Sequence, residues 1–222
     1  MKKIILIAAM AAFTLSIYAQ LGVQVGYILP TDRTKIEKNK SSSSINGIQA
    51  GVNYTYFYND NLFVQPALLY SFGGKSDSKS GKAGMWGDYK FTSAFTSHSI
   101  DLPIHIGYAL PIGDDLKVFA FAGPDFQYNI DQKTSFKSND PNINNVLAFL
   151  GLSGGSVYGT KDHPNKDLSH WDILLGAGIG ATYKNMTFKA GFDFGLMNKY
   201  TGDVKNKSIH TNVFSVALGY SF

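Results

Sequence analysis

The chain has 222 residues and a formal net charge of +4, and only 16% of its residues are charged, against about 25% in a typical soluble domain. It contains no cysteine, which excludes disulfides, thiolate metal sites and lipid attachment at a cleaved N-terminal cysteine. The small positive charge is the sole feature that points toward nucleic acid, so we expect no nucleic-acid partner, and we expect no cofactor.

The first 19 residues are predicted to be a secretory signal peptide. Lys2 and Lys3 form the basic start, Ile4–Leu15 the apolar stretch, and Ala19 a small residue before the cleavage point. A transmembrane anchor is the alternative, but the apolar run is shorter than the ~20 residues of a membrane-spanning helix. Residues 20–222 are therefore predicted to be the exported domain.

Eight segments of that domain alternate large apolar residues with small or polar ones, which is the pattern of a strand with two unlike faces. The predicted strands are Leu21–Leu29, Ile45–Phe57, Leu62–Phe72, His98–Leu110, Leu116–Ile130, Trp171–Tyr183, Met186–Met197 and His210–Phe222. The connections after the second, fourth and sixth strands are short, and the others are long and rich in Lys, Ser, Asn and Gly.

This alternation of connections is typical of a bacterial outer-membrane barrel, which has short periplasmic turns and long extracellular loops. The sequence therefore predicts an all-β fold, an eight-stranded antiparallel transmembrane β-barrel. Its predicted location is the outer membrane of a Gram-negative bacterium, and its predicted surroundings are outer-membrane lipid and lipopolysaccharide.

The final segment, Val213–Phe222, raises the question of what each strand face contacts. Its large residues alternate with Ser, Ala and Gly, which are too small to fill a core and too uncharged for a solvated surface. Lipid accounts for both faces, because large side chains would meet acyl chains while small ones line the narrow interior of eight strands.

Polar and charged side chains on the small-residue face are predicted to form a lumen network of compensating charges. Lys189 and Asp193 lie four residues apart on one strand face, as do Asp101 and His105, with Lys117 on the strand next to the latter pair. A proton or solute path is the alternative, but a barrel of eight strands is expected to have no open pore. The predicted network residues are Asp101, His105, Lys117, Asp125, Asp172, Lys189 and Asp193.

Most basic residues fall in the long connections, where they are predicted to face lipopolysaccharide phosphates, although loop solubility alone could explain them. These residues are Arg33, Lys35, Lys38, Lys40, Lys75, Lys79, Lys82, Lys133, Lys137, Lys205 and Lys207.

Two long connections have distinct compositions. Gly74–Gly84 is of low complexity and is predicted to be mobile. The connection Asp131–Ser169 is longer than a turn requires, and its apolar part Asn144–Gly155 is predicted to form a short helix or an inward-folded lid. That part could bind a partner or plug the barrel, or it could cap the barrel as a small hydrophobic cluster.

Rim histidines suggest a catalytic alternative. His98 is followed by Ser99 and Asp101, a set of residue types found in hydrolases, and some small outer-membrane barrels are enzymes that modify lipid A. Parity places His98 outward and His170 inward, however, so we predict no catalytic residues and no metal site.

Two stretches resemble the outer-membrane β-barrel family of Bacteroidota that is sometimes called PorT-like. They are Gly47–Gly74, with its "QPALLYSFGG" end, and Ser99–Tyr108, "SIDLPIHIGY". The fold is also similar to OmpX- and OmpA-type barrels. The C-terminal Tyr220 and Phe222 resemble the aromatic signal that the barrel-assembly machinery recognises.

The sequence is consistent with three roles, of which we predict the first. The first is a non-enzymatic barrel with a structural or surface-interaction role toward lipopolysaccharide, a host or a partner protein. The second is an accessory barrel of a secretion or envelope-assembly complex, because one branch of the family is implicated in secretion. The third is a lipid A-modifying enzyme.

Overall fold

A computed structural model describes residues 19–82, 88–138, 149, 155–156 and 168–222. The predicted signal peptide lies outside the described residues, apart from Ala19, and so does nearly all of Asn144–Gly155. Within the described parts of the chain, no helix is long and apolar enough to cross a membrane.

Ten strands are present in the described residues. They are β1 (Ala19–Ile36), β2 (Asn39–Ser44), β3 (Asn46–Phe57), β4 (Leu62–Lys82), β5 (Asp88–Pro111), β6 (Leu116–Ser138), β7 (Gly155–Ser156), β8 (Trp171–Tyr183), β9 (Met186–Gly195) and β10 (Lys207–Ser221). Eight of them correspond to predicted alternating segments, and β2 and β7 are short further strands.

Eight of these strands form a closed antiparallel ring in the order β1–β3–β4–β5–β6–β8–β9–β10. Pairing of β10 with β1, from Gly22↔Ser221 to Ile36↔Lys207, closes the ring. The short strands β2 and β7 pair with the outer ends of β1 and β6. The predicted eight-stranded antiparallel barrel is confirmed.

The two faces of each strand differ as the alternation indicates. On β1, the side chain of Val25 is 57% exposed, whereas that of the adjacent Gln24 is 8% exposed and lies in the lumen. Large apolar residues on every ring strand are exposed in the same way, forming an apolar belt around the barrel. Such a belt suits a surrounding of acyl chains, because exposing this much apolar surface to water would cost a large free energy.

Glycines on the inner face provide space for aromatic rings from the neighbouring strands. A Cβ atom at Gly107 would overlap the ring of Phe63, and one at Gly180 would overlap the ring of Phe119. The Phe63 and Phe119 rings meet edge to face with centroids 5.6 Å apart. The small-residue face therefore exists because side chains from other strands occupy its space.

Four ring strands extend well past the predicted boundaries, all at the long-loop end. The prediction of a mobile Gly74–Gly84 connection is wrong for its described part, because β4 continues to Lys82 and pairs with β5 out to Lys82↔Asp88. The first eight residues of the predicted Asp131–Ser169 loop likewise belong to β6, which ends at Ser138.

A β-bulge marks the point where β6 leaves the apolar belt. His98 of β5 pairs with Asp131, but the next residue, Ser99, pairs with Asn129, so Ile130 is an extra residue on β6. A bulge shifts which side chains face each way beyond it. As a result, Gln132 is buried on the inner side and Lys133 lies outside.

Candidate functional site

The lumen holds a connected polar network near its middle, centred on Asp101. This carboxylate is 4% exposed and accepts hydrogen bonds from Ser71 Oγ at 2.5 Å, from Gln127 Nε2 at 2.6 Å and from Ser99 Oγ at 3.3 Å. The donors lie on β4, β5 and β6, so the network ties three neighbouring strands together.

Other buried polar atoms of the predicted lumen set have fewer partners. Asp172 is fully buried, and its Oδ1 accepts a hydrogen bond from the backbone N–H of Ile173 at 2.8 Å. In the described residues, Asp172 Oδ2, Asp125 Oδ1 and His105 Nε2 have no hydrogen-bond partner. Such atoms are usually satisfied by water, so the lumen is expected to be hydrated.

Lys189 lies deep in the barrel, but it does not form the ion pair with Asp193 that the sequence predicts. Its Nζ donates a hydrogen bond to Gln65 Oε1 at 2.7 Å across the lumen and lies 4.5 Å from the centroid of the Phe121 ring. The expected compensating partner, Asp193, is not within salt-bridge distance among the described contacts.

Lys117 was expected beside Asp101 and His105, and the structure places it elsewhere. It pairs with Pro111 and Thr182 at the short-turn end of the barrel, where its side chain is exposed. Its ammonium group lies 5.3 Å from the centroid of the Phe57 ring. Lys117 therefore does not form a charge set with Asp101 and His105.

Sequence reasoning missed a charged contact at the outer end of the lumen. Lys199, which is 3% exposed, lies 3.6 Å from Asp32, and Asp32 also accepts a hydrogen bond from Thr211 Oγ1 at 2.6 Å. Parity places Thr211 inward within the predicted last strand, and it would have placed Asp32 inward had the first strand been extended past Leu29. Nothing in the sequence signals Lys199, which follows the end of β9.

Three cavities follow one another along the lumen. The outer cavity, at the long-loop end, has a volume of about 170 Å³ and is lined by Asp32, Asp101 and Lys199. The central cavity has about 40 Å³ and is lined by His105 and Phe121, among others. The inner cavity, at the short-turn end, has about 180 Å³.

Nearly all of the predicted basic loop residues that lie in described segments are on strands. Only Lys38 and Lys205 lie in turns. The others lie on strand extensions: Arg33 and Lys35 on β1, Lys40 on β2, Lys75, Lys79 and Lys82 on β4, Lys133 and Lys137 on β6, and Lys207 on β10. Strands hold these charges in fixed register, which irregular loops would not do.

An outward group of cations lies where β1 pairs with β2. Arg33 and Lys35 are on the same face of β1 as Tyr27, and Lys40 of β2 lies directly opposite Lys35. We call Arg33, Lys35 and Lys40 the cationic face. In the part of the chain that the structure describes, no carboxylate lies within salt-bridge distance of these three side chains.

Three other cations at this end have close partners. Lys75 lies 3.0 Å from Asp77, and Lys133 lies 3.2 Å from Asp131. Lys207 places its ammonium 4.2 Å from the Tyr200 ring centroid. The cationic face therefore differs from these three lysines.

The residues of the catalytic alternative are not brought together. His98 is on the outer side of β5, where it hydrogen-bonds Tyr70 Oη through Nδ1 at 2.6 Å and contacts the Phe72 ring. Ser99 is buried on the opposite side of the strand and donates to Asp101. A nucleophile and its base must be within hydrogen-bond reach, so His98 cannot activate Ser99 in this arrangement.

The C-terminal aromatic residues are exposed at the short-turn end. Phe222 is 71% exposed and meets Tyr220 edge to face, with centroids 5.5 Å apart. Its backbone N–H donates to Leu21 O at 2.9 Å, which ties the chain end to β1.

Among the described residues, no group of three or more metal-ligating side chains could hold a metal ion.

Comparison with known proteins places the fold in a family. Residues 11–200 match the family described as "Outer membrane protein beta-barrel domain". The chain belongs to this family. Together with the closed ring and its apolar belt, membership locates the protein in the outer membrane.

Several solved structures are similar to the chain. The attachment invasion locus protein Ail of Yersinia pestis, in complex with the heparin analogue sucrose octasulfate, is 14% identical, with 93% of this chain and 100% of that chain covered and a TM-score of 0.44. Neisserial surface protein A is 16% identical, covering 92% and 99%, with a TM-score of 0.44. The outer membrane enzyme PagL is 10% identical, covering 87% and 98%, with a TM-score of 0.44. A search of curated proteins found no match.

Proposed function

We propose that this outer-membrane barrel is a non-enzymatic surface protein whose cationic face binds the phosphate groups of lipopolysaccharide. The observation that carries the proposal is the register of β1 and β2, which puts Lys35 directly opposite Lys40 and keeps Arg33 on the same face. Like charges placed directly opposite on a sheet destabilise the pairing unless something neutralises them. An anion shared by the two ammonium groups would do so.

The position of the cationic face relative to the membrane fits that ligand. Tyr27 lies at the outer edge of the apolar belt, and Arg33 is six residues further along the same strand. At about 3.3 Å per residue and a strand tilt of about 40°, Arg33 would lie roughly 15 Å above Tyr27. That level corresponds to the polar layer of lipopolysaccharide, where its phosphates are found.

Charges at the opposite end of the barrel favour the same orientation. The short turns carry Asp60, Asp114 and Asp115, against Lys184, which is already 3.7 Å from Asp115, and Lys117 at the adjacent end of β6. Anionic lipid surfaces attract Lys and Arg, at about 1 kcal/mol per residue near the surface. Contact with lipopolysaccharide is therefore favoured for the cationic long-loop end and not for the acidic short-turn end.

Two further expectations belong to the same proposal. We propose that the chain belongs to the outer-membrane barrel family of Bacteroidota sometimes called PorT-like, on the strength of the Gly47–Gly74 and Ser99–Tyr108 resemblances. We also expect the barrel-assembly machinery to recognise Tyr220 and Phe222, which are accessible at the chain end. The separation of His98 from Ser99 supports a role without catalysis.

The test compares lipopolysaccharide binding by two double variants in lipopolysaccharide-free nanodiscs. Lys35→Ala/Lys40→Ala removes two charges from the cationic face, and we expect affinity to fall by about tenfold or more at low salt, given about 1 kcal/mol per cation. The fall should shrink as salt is raised, because ions screen exposed charges.

Lys75→Ala/Lys79→Ala is the matched control. It removes the same charge from the same end, but both residues follow the inward parity of β4 and Lys75 already pairs with Asp77. We expect little change in affinity. Equal weakening by both variants, or equal binding of dephosphorylated lipopolysaccharide to the unsubstituted protein, would contradict the proposal.

A further inference from the structure

The three lumen cavities form a series rather than isolated voids. The outer and central cavities share Gln49, Asp125, Asp193 and Ser215 in their linings. The central and inner cavities share Gln24, Lys189 and Ala217. Two junctions thus connect spaces that together run from the long-loop end to the short-turn end.

Each cavity is large enough for water. About 10–15 Å³ of this kind of volume holds one water molecule, and even the central cavity has about 40 Å³. It also has the polar groups that a water needs, since His105 Nε2 and Asp125 Oδ1 are buried there without a partner in the described chain. The series is therefore expected to be hydrated on both sides of its junctions.

Lys189 is the large cationic side chain at the inner junction. Its ammonium is fixed from two sides, by the hydrogen bond to Gln65 Oε1 at 2.7 Å and by the Phe121 ring at 4.5 Å. The other two residues shared at this junction are Gln24 and the small Ala217. Lys189 thus supplies both bulk and positive charge at the narrow point between the central and inner cavities.

The outer cavity has the opposite electrical character. Of its two lysines, Lys75 is paired with Asp77 and Lys199 with Asp32. This leaves the carboxyl groups of Asp101, Asp125 and Asp193 on the lining without a lysine from the outer cavity. A lining rich in carboxyl oxygens favours cations over anions.

From these observations we infer that the barrel encloses a water-filled path for small monovalent cations, which Lys189 holds closed at the inner junction. Cations enter the outer cavity from the long-loop end and reach the central cavity. The ammonium group of Lys189 then stops them by its charge and its volume. Movement of Lys189 away from Gln65 joins the central and inner cavities and opens the path.

The first experiment measures conductance of the full barrel in planar bilayers bathed in potassium chloride at neutral pH. We expect the unsubstituted protein to be closed and Lys189→Ala to give a steady current about tenfold or more larger, which corresponds to about 1.4 kcal/mol of barrier. The reversal potential in a salt gradient should show preference for K⁺. Lys117→Ala is the matched control, because Lys117 lines the inner cavity away from the junction, and it should stay closed.

The inference fails if Lys189→Ala conducts no more than the unsubstituted protein, if Lys117→Ala conducts equally, or if the current is carried by Cl⁻. A change of gel mobility on heating checks that each variant has folded.

A second experiment leaves Lys189 in place, so it does not depend on that variant folding. The chain has no cysteine, and Ser215→Cys introduces one thiol between the outer and central cavities. In oriented proteoliposomes, Ag⁺ should block this thiol when added at the long-loop side and not at the short-turn side. Ser221→Cys, on the inner cavity, should show the reverse. Equal reaction from both sides, or none at Ser215→Cys from the long-loop side, would overturn the inference.

Discussion

At the scale of single residues, the inner glycines hold the barrel to its narrow packing. Gly107→Val would push side-chain atoms into the Phe63 ring, which is 4% exposed and also packed against Phe119. Overpacking of this kind costs about 1–3 kcal/mol. We expect Gly107→Val to lower the free energy of unfolding in lipid vesicles by a corresponding amount. The urea midpoint should fall with it, as followed by the heat-sensitive gel mobility of the folded form.

Gly219→Ala is the control for this substitution. The nearest atom to a Cβ at Gly219 is Val23 O at 3.2 Å, and the next two lie at 3.7 and 3.8 Å, so a small shift accommodates the added methyl group. A midpoint for Gly107→Val as high as that for Gly219→Ala would show that Phe63 can move aside, and that the glycine is not required by packing.

Residue parity could be predicted from the sequence, but residue partners could not. Alternation placed Gln24 inward and Val25 outward, because a strand has a period of two. Partners across the lumen depend on strand register and tilt, which the local pattern does not contain. Lys189 and Gln65 are 124 residues apart in sequence, and Asp32 and Thr211 are 179 apart.

At the scale of elements, the strand extensions are the largest departure from the sequence-based prediction. Inside the membrane, the outer face must be apolar, and this requirement produces the visible alternation. Beyond Phe72, both faces of β4 are polar or small, so the pattern disappears although the backbone pairing with β5 continues. The composition of Gly74–Lys82 then looks the same as that of a mobile connection.

Hydrogen exchange tests this extension directly. Thr92–Ser97 of β5 pairs with β4 on one side and β6 on the other, whereas β4 has no β3 partner beyond Gly74. We expect amides of Thr92–Ser97 to exchange slowly, and those of Ser76–Lys82 at intermediate rates, since paired but edge-located amides open more readily. The turn at Lys38 serves as the fast reference within the same molecule. Exchange of Thr92–Ser97 as fast as this turn would show that the extension is not a stable sheet.

At the scale of the whole molecule, closure of the ring determines how the barrel unfolds. Every ring strand is paired on both sides, and the β1–β10 pairing alone covers fifteen positions from Gly22↔Ser221 to Ile36↔Lys207. A closed barrel has no edge at which strands can separate one at a time in lipid, where unpaired backbone groups are costly.

We therefore expect the protein, extracted from its own membrane in mild detergent, to be a compact monomer that migrates faster on a gel before heating than after it. Complete unfolding on heating breaks all ring pairings together, so intermediate mobilities should be absent. A stable large assembly would instead favour the accessory role in a secretion or envelope-assembly complex, and its partners would identify the process. Mobility that heating does not change would contradict the closed barrel, because an unclosed sheet lacks the barrier that keeps the compact form intact in detergent.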